Sequence, residues 1–213
     1  MDDVCFVSVA FGELYIQQQD RLRESIRAIY PYANISFFRG CLPPGSKSMY
    51  QSLYGFKPHA IQTARNSGFT KIIWLDPAMI LQDKIDDLFK YEVIAVKDDN
   101  RLFDLISEPC LNFYELTRDY IKEKNWHLVG GSLYYFDFSK KKAVEVFDTW
   151  MFAEFKGLFG SQQQQASEQI NGHRMDETCM AIAMYVHDVE PQPGPEVRYC
   201  IEKNPMFIKR HFK

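Results

Sequence analysis

Short, almost wholly apolar runs alternate with stretches of helical period along the first half of the chain, and few folds accept that alternation. Val4 to Phe11 (VCFVSVAF) is nearly continuous in apolar, β-favouring residues, as a strand buried on both faces must be. Gly12 breaks it. From Leu14 to Tyr30 the pattern turns helical: Ile16, Leu22, Ile26 and Ile29 can share a face, with Arg21, Arg23, Glu24 and Arg27 outside it, and Pro31 ends the helix. Ile35 to Phe38 reads as a second strand, followed by a loop rich in Gly, Pro and Ser from Gly40 to Ser48. Pro58 suits the first turn of another helix, Ile61 and Ala64 give it an apolar face, and Gly68 marks its end. Lys71 to Leu75 (KIIWL) is then a strand that stops at Asp76-Pro77-Ala78, before a shorter helix around Ile85 to Phe89 and a strand from Val93 to Val96. This order predicts an α/β domain, a central, mostly parallel mixed sheet flanked by helices.

The second half is less regular. Leu128 to Phe138 carries a Gly130-Gly131 break before the apolar run Leu133 to Phe136. A helix runs from Ala143 towards Phe155, and another from Asp176 to Val186. Gln162 to Gln165 reads as a solvated loop, and the tail with Pro191, Pro193, Pro195 and Pro205 as a wrap without much regular structure. No repeat or second domain boundary is visible, so residues 1–213 read as one domain.

The formal net charge of −3 argues against a general polyanion binder, and no nucleic-acid partner is expected. A local basic cluster, Lys209, Arg210, His211 and Lys213, lies at the end. Five widely spaced cysteines without a C-x-x-C pair suggest a reducing compartment. Met1-Asp2-Asp3 leads into a strand too short to span a bilayer, and no signal peptide or anchor is legible. The expectation is a cytoplasmic enzyme with no membrane span, or a domain excised from a longer protein.

Asp76 anchors the chemistry. It ends an apolar strand, and in open α/β sheets ligands bind beyond the carboxyl ends of strands, near a switch in strand order. Helped by Pro77, it could equally just begin a turn. Phe56-Lys57-Pro58, a helix and Ile72-Ile73-Trp74-Leu75-Asp76 resemble the central segment of glycosyltransferases of the GT-A fold, where a D-x-D element closes the strand. The resemblance continues in order along nearly all of the chain. Val4 to Phe11 with Tyr15 is similar to the strand and loop that hold the uridine, and Gly130-Gly131-Ser132 to the small-residue loop lining the sugar site. Asp176-Glu177 resembles the acidic pair that meets the transferred sugar or the acceptor, and Lys209 with His211 the terminal segment supplying a metal ligand and a cation for the diphosphate.

The resemblance implies a metal-dependent transferase moving a hexosyl group from a UDP-sugar to a glycan or glycoprotein acceptor, with retention of configuration. It would place Asp76 and His211 on a divalent cation, Mn²⁺ or Mg²⁺, with Mn²⁺ favoured because histidine suits it better. Lys57 and Lys209 would face the diphosphate, Phe11 and Tyr15 the base, Gly130 and Gly131 the sugar, and Asp176 and Glu177 the reacting centre. Arg65 could reach the ligand from the Pro58 helix, although a surface arginine reads as well. The other histidines, His59, His127, His173 and His187, lack metal-ligand spacing. One position departs from the pattern: Ala78 stands where the second aspartate of D-x-D belongs, and alanine cannot ligate a metal. An engineered knockout, a site relying on Asp76, His211 and diphosphate oxygens, and a degenerate non-catalytic relative all remain open. Two other functions compete, a catalytically impaired UDP-sugar or glycan-binding module and a nucleotidyltransferase. The latter normally carries a Gly-rich phosphate loop, and Ala10-Phe11-Gly12-Glu13 is a poor version of one.

Overall fold

A computed structural model describes residues 2–161, 173–192 and 201–203, the last three by their backbone alone. The chain is an α/β protein built on a mixed five-stranded sheet flanked by helices, in the order β2-β1-β3-β6-β5. The first strand, β1 (Val4–Ala10), is buried along its length. Its Val4 and Phe6 face one apolar layer with Leu22 and Ile26 of α1 (Gly12–Ile29). Its Cys5, Val7 and Val9 face the other, with Ala60, Ile61 and Ala64 of α2 (Phe56–Asn66). The unbroken apolar run therefore serves two cores, one on each side of the sheet.

β1 pairs in parallel with β2 (Asn34–Arg39) on one side and β3 (Lys71–Leu75) on the other. The chain thus winds outwards through α1 and returns across the opposite face through α2. β6 (His127–Asp137) is antiparallel to both β3 and β5 (Val93–Arg101), so four of the five strands run one way. Helices α5 (Lys141–Phe155) and α6 (Met175–Val186) join α2 on its face, where Trp150, Phe147 and Met180 are wholly buried.

Several expectations change. The stretch at Ile85 is a 3₁₀ turn, Asp86–Lys90. Two short helices, α3 (Glu108–Phe113) and α4 (Arg118–Glu123), carry too few turns to show an apolar period. Gly130-Gly131 does not interrupt β6, because both residues keep extended backbone and the strand runs through them. The tail holds a strand where none was expected, since β7 (Ile201–Lys203) pairs antiparallel with β4 (Met79–Leu81). Gln162 to Gln165 lie outside the described residues, as do Pro193, Pro195 and Pro205. No helix among the described residues is long and apolar enough to cross a membrane.

Candidate active site

The strand order reverses beside β1, and a cavity of about 330 Å³ opens at the carboxyl ends of β1 and β3 there. Val9, Phe11 and Tyr15 line it from the β1 side, and Trp74, Asp76, Pro77 and Ala78 from the β3 side. Met49 and Tyr54 close it from the loop that leads into α2, and Phe56 from the start of that helix. Phe11 packs edge-on against Phe56 at 5.7 Å between ring centres, and Phe56 in turn lies 6.0 Å from Trp74. The lining is therefore largely aromatic, with one carboxylate at its lip.

That carboxylate belongs to Asp76, whose side chain is 37% exposed. Period-two geometry places it on the same face of the strand as Trp74. The indole N–H of Trp74 donates to Asp76 Oδ1 at 3.2 Å and to the Gly131 carbonyl at 3.1 Å. The Asp76 backbone N–H donates to the Ser132 carbonyl at 2.9 Å, so strand and side chain are both fixed. Ala78 is nearly buried in the turn that follows.

Behind Trp74 lies a network of charges withdrawn from solvent. Lys57, in the first turn of α2, is 4% exposed. Its ammonium sits 2.8 Å from Asp176 Oδ2, 3.0 Å from the Gly131 carbonyl and 4.0 Å from Asp76 Oδ1. The rings of Tyr54, Trp74 and Tyr134 surround it at 5.0, 5.7 and 5.7 Å. Burial alone would discharge this lysine, but Asp176 and Asp76 outweigh burial and hold the ammonium well above its ordinary value. Burial likewise pushes the Asp176 carboxyl up, with Lys57 opposing it. At 2.8 Å the pair is an ion pair at neutral pH. Tyr134 donates its hydroxyl to Asp176 at 3.2 Å, and the indole N–H of Trp150 donates to the Asp176 carbonyl at 3.0 Å.

Lys57, expected on a diphosphate, is thus committed to protein groups. Glu177 keeps more contact with solvent, its side chain 19% exposed. It accepts from the Gly131 N–H at 3.0 Å and from Arg174 at 2.9 Å. Gly131 has a steric reason to be glycine: a Cβ there would lie 2.7 Å from Lys57 Nζ and 3.1 Å from Glu177. Gly130 has no such neighbour, because its added Cβ would first meet the Val96 carbonyl at 3.9 Å. The register of β5 against β6 shifts between Ala95, opposite Tyr134, and Val96, opposite Gly130, so Gly131 falls within the irregularity.

Arg65 does not reach this site. Its guanidinium stacks over Phe138 at 4.6 Å and approaches Asp148 at 3.6 Å. Phe138 follows Asp137, the partner of Lys71, so Arg65 belongs to the opposite end of β3, roughly 15 Å away along the strand. The reason is polarity: α2 starts beside the site and its last turn ends at the far edge of the sheet. Lys209 and His211 lie outside the described residues. The structure brings Phe11, Tyr15 and Asp76 to one cavity, with Lys57, Gly131, Asp176 and Glu177 immediately behind.

Sequence reasoning missed Trp74, Tyr54 and Arg174. Two of them carried a signal: Trp74 stands two residues before Asp76 on a strand, and Arg174 three before Glu177 at a helix start. Tyr54 and Met175 adopt left-handed backbone, φ 58 and 50, unusual for side chains of their size. Met175 directly precedes Asp176, and the Tyr54 ring lies 5.0 Å from Lys57 Nζ; Glu115, Asn125 and Asp188 share the conformation.

No family model matches the chain, and no curated protein matches it. Among solved structures it is similar to a glycosyltransferase involved in glycosylation of the major capsid of PBCV-1, with TM-score 0.45 and 13% identity over 80% of this chain and 78% of that one. It is similar to the galactosyltransferase LgtC, solved with donor and acceptor sugar analogues, with TM-score 0.45 and 11% identity over 94% and 87%. A looser likeness, TM-score 0.39 at 12% identity, joins 71% of this chain to 35% of the bifunctional glycosyltransferase WbbM. Likenesses this loose say nothing of donor, acceptor or activity.

Proposed function

We propose that the protein is a glycosyltransferase of the GT-A type that takes a hexosyl group from a UDP-sugar and passes it to a glycan or glycoprotein acceptor, with retention. The observation that carries this reading is the aromatic cavity at the strand switch with Asp76 at its lip and the Asp176–Glu177 acids behind it. Phe11 and Tyr15 offer flat faces for a uracil ring. Glu177, the more exposed acid, is the one to meet the sugar or acceptor, while Asp176 acts by fixing Lys57. Lys57 in turn offsets the negative charge of Asp176 and Asp76 without leaving the core.

A divalent cation, manganese or magnesium, belongs to the same proposal, with Asp76 and His211 as its holders. The described residues do not by themselves fit a metal centre. Among them no group of three or more His, Cys, Asp or Glu side chains is arranged to hold an ion, and hard cations want several oxygens. No step is derived through the metal. The same observation, with Ala78 lining the cavity, favours a second reading, a module that binds a nucleotide sugar without turning it over.

Calorimetric titration with UDP, with and without Mn²⁺, followed by assay of UDP-sugar hydrolysis, decides between them. The transferase reading expects metal-strengthened binding, slow hydrolysis, and affinity reduced about ten-fold or more by Asp76→Asn. Binding without any turnover supports the module. A chain that binds no UDP sinks both.

A further inference from the structure

The loop from Gly40 to Gly55 joins β2 to α2 and supplies Met49 and Tyr54 to the cavity wall. What holds it down is a carboxylate on another helix. Glu154, in the last turn of α5, is 2% exposed, and an acid so placed is costly unless partnered. His59 Nε2 approaches its Oε2 at 3.3 Å from α2, and Lys47 Nζ its Oε1 at 3.3 Å from the loop. Ser52 Oγ lies against the carboxylate without a hydrogen bond of good geometry. Burial would raise the Glu154 carboxyl, but His59 and Lys47 outweigh it and hold the carboxyl below its ordinary value. Lys47 also donates to the carbonyls of Glu154 and Phe155 at 3.1 and 3.3 Å, closing the end of α5.

The loop backbone is pressed onto this acid. A Cβ on Gly55 would stand 2.4 Å from Ser52 Oγ and 2.9 Å from Glu154 Oε1. Leu53 N–H donates to the Gly160 carbonyl at 3.0 Å, a second tie to the segment after α5. Between these ties stands Tyr54 at φ 58, its ring 5.0 Å from Lys57 Nζ and 40% exposed on the cavity side. A tyrosine in that conformation is strained and persists only where its surroundings over-determine it. The Glu154 contacts lie on either side of it, at Lys47 and at Gly55.

We propose that Glu154 is a positioning residue for the cavity: through Lys47, Ser52 and Gly55 it latches the Ser46–Gly55 segment and fixes Tyr54 as the outer aromatic wall that selects a planar ring. That the ring is a uracil rests on the function proposed above; the latch does not. Two measurements on the intact chain separate them, amide exchange across residues 46–55 without ligand, and UDP titration. Lys47→Ala and Glu154→Gln are expected to speed exchange in that segment about ten-fold, with β1 and β3 unchanged, and to weaken UDP by about ten-fold. Lys47→Arg restores both. Tyr54→Ala weakens UDP with β1 and β3 equally protected, and Tyr54→Phe does not. Parent-like exchange in Lys47→Ala, or exchange rising equally throughout the chain, overturns the latch. If the parent binds no UDP the proposed function falls, and the exchange measurement alone upholds or overturns the latch.

Discussion

Two lysines, each paired with an aspartate, mark opposite ends of β3, and they do opposite work. At the carboxyl end, Lys57 and Asp176 meet at 2.8 Å with side chains 5% and 3% exposed. At the amino end, Lys71 pairs with Asp3 in solvent, their side chains 26% and 46% exposed. Arg65 and Asp148 add a second exposed pair there. The far end is an ordinary charged rim. The near end has removed both charges from water, surrounded the cation with rings and left one acid, Asp76, facing a cavity. Desolvation makes such an arrangement expensive unless every member is partnered, so the contrast is between a surface that tolerates charge and a core built around it.

Removing Lys57 is the harshest test of that contrast. Lys57→Met leaves Asp176 buried without its cation, and loss of one partner of a buried pair costs about 3–5 kcal/mol. Denaturant unfolding measures it. A double variant, Lys57→Met with Asp176→Leu, should recover most of the loss, because well-packed apolar groups can replace a buried pair at little cost. If the single variant unfolds at the parent's midpoint, the network is not the structural centre of the near end.

Acid distinguishes the two ends through His173, which fixes the approach to α6. Its Nε2–H donates to the Leu158 carbonyl at 2.8 Å, and Nδ1 accepts from the Ser107 N–H at 3.3 Å, which is the neutral tautomer. Burial pulls this imidazole down to about 4 from the usual 6.5. Between those values the unfolded chain takes up a proton that the folded chain refuses. Stability is therefore full above about pH 6.5 and falls as pH drops towards 4, by about 3 kcal/mol at most. Asp176, whose carboxyl burial raises, acts in the opposite sense and offsets part of this. His173→Gln should flatten the slope in unfolding measured between pH 4 and 7; an unchanged slope assigns it elsewhere. The far end titrates lower, since Lys71 holds the Asp3 carboxyl below its ordinary value.

How much of this was written in the sequence follows the same division. β3 is found residue for residue at Lys71–Leu75, because an apolar run bounded by charge and proline has one reading. Asp76 at its end follows from position alone. The parallel half, β1 through β3, was legible because each element is long enough to show its period. β4, β7, α3 and α4 are too short for that, and the antiparallel turn of β6 depends on a partner strand. Lys57 illustrates the harder limit: a lysine in the first turn of a helix looks solvated, and its partner is Asp176, 119 positions away. The left-handed conformation of Tyr54 is likewise set by tertiary ties that leave no local signal.

The smallest expected effect falls on Lys71, and it sharpens the contrast as well as any large one. Lys71→Ala removes an ion pair whose members are both partly solvated, so water replaces most of what is lost. Exposed pairs contribute about 1 kcal/mol or less, a shift of the thermal midpoint by a few degrees. The substitution lies beyond the opposite end of the strand from Asp76, and nothing in the cavity touches it. UDP affinity should therefore equal the parent's. A loss of UDP affinity, or a loss of stability comparable to that of Lys57→Met, would mean that charge at the two ends of β3 is coupled through the strand, and that burial is not what separates them.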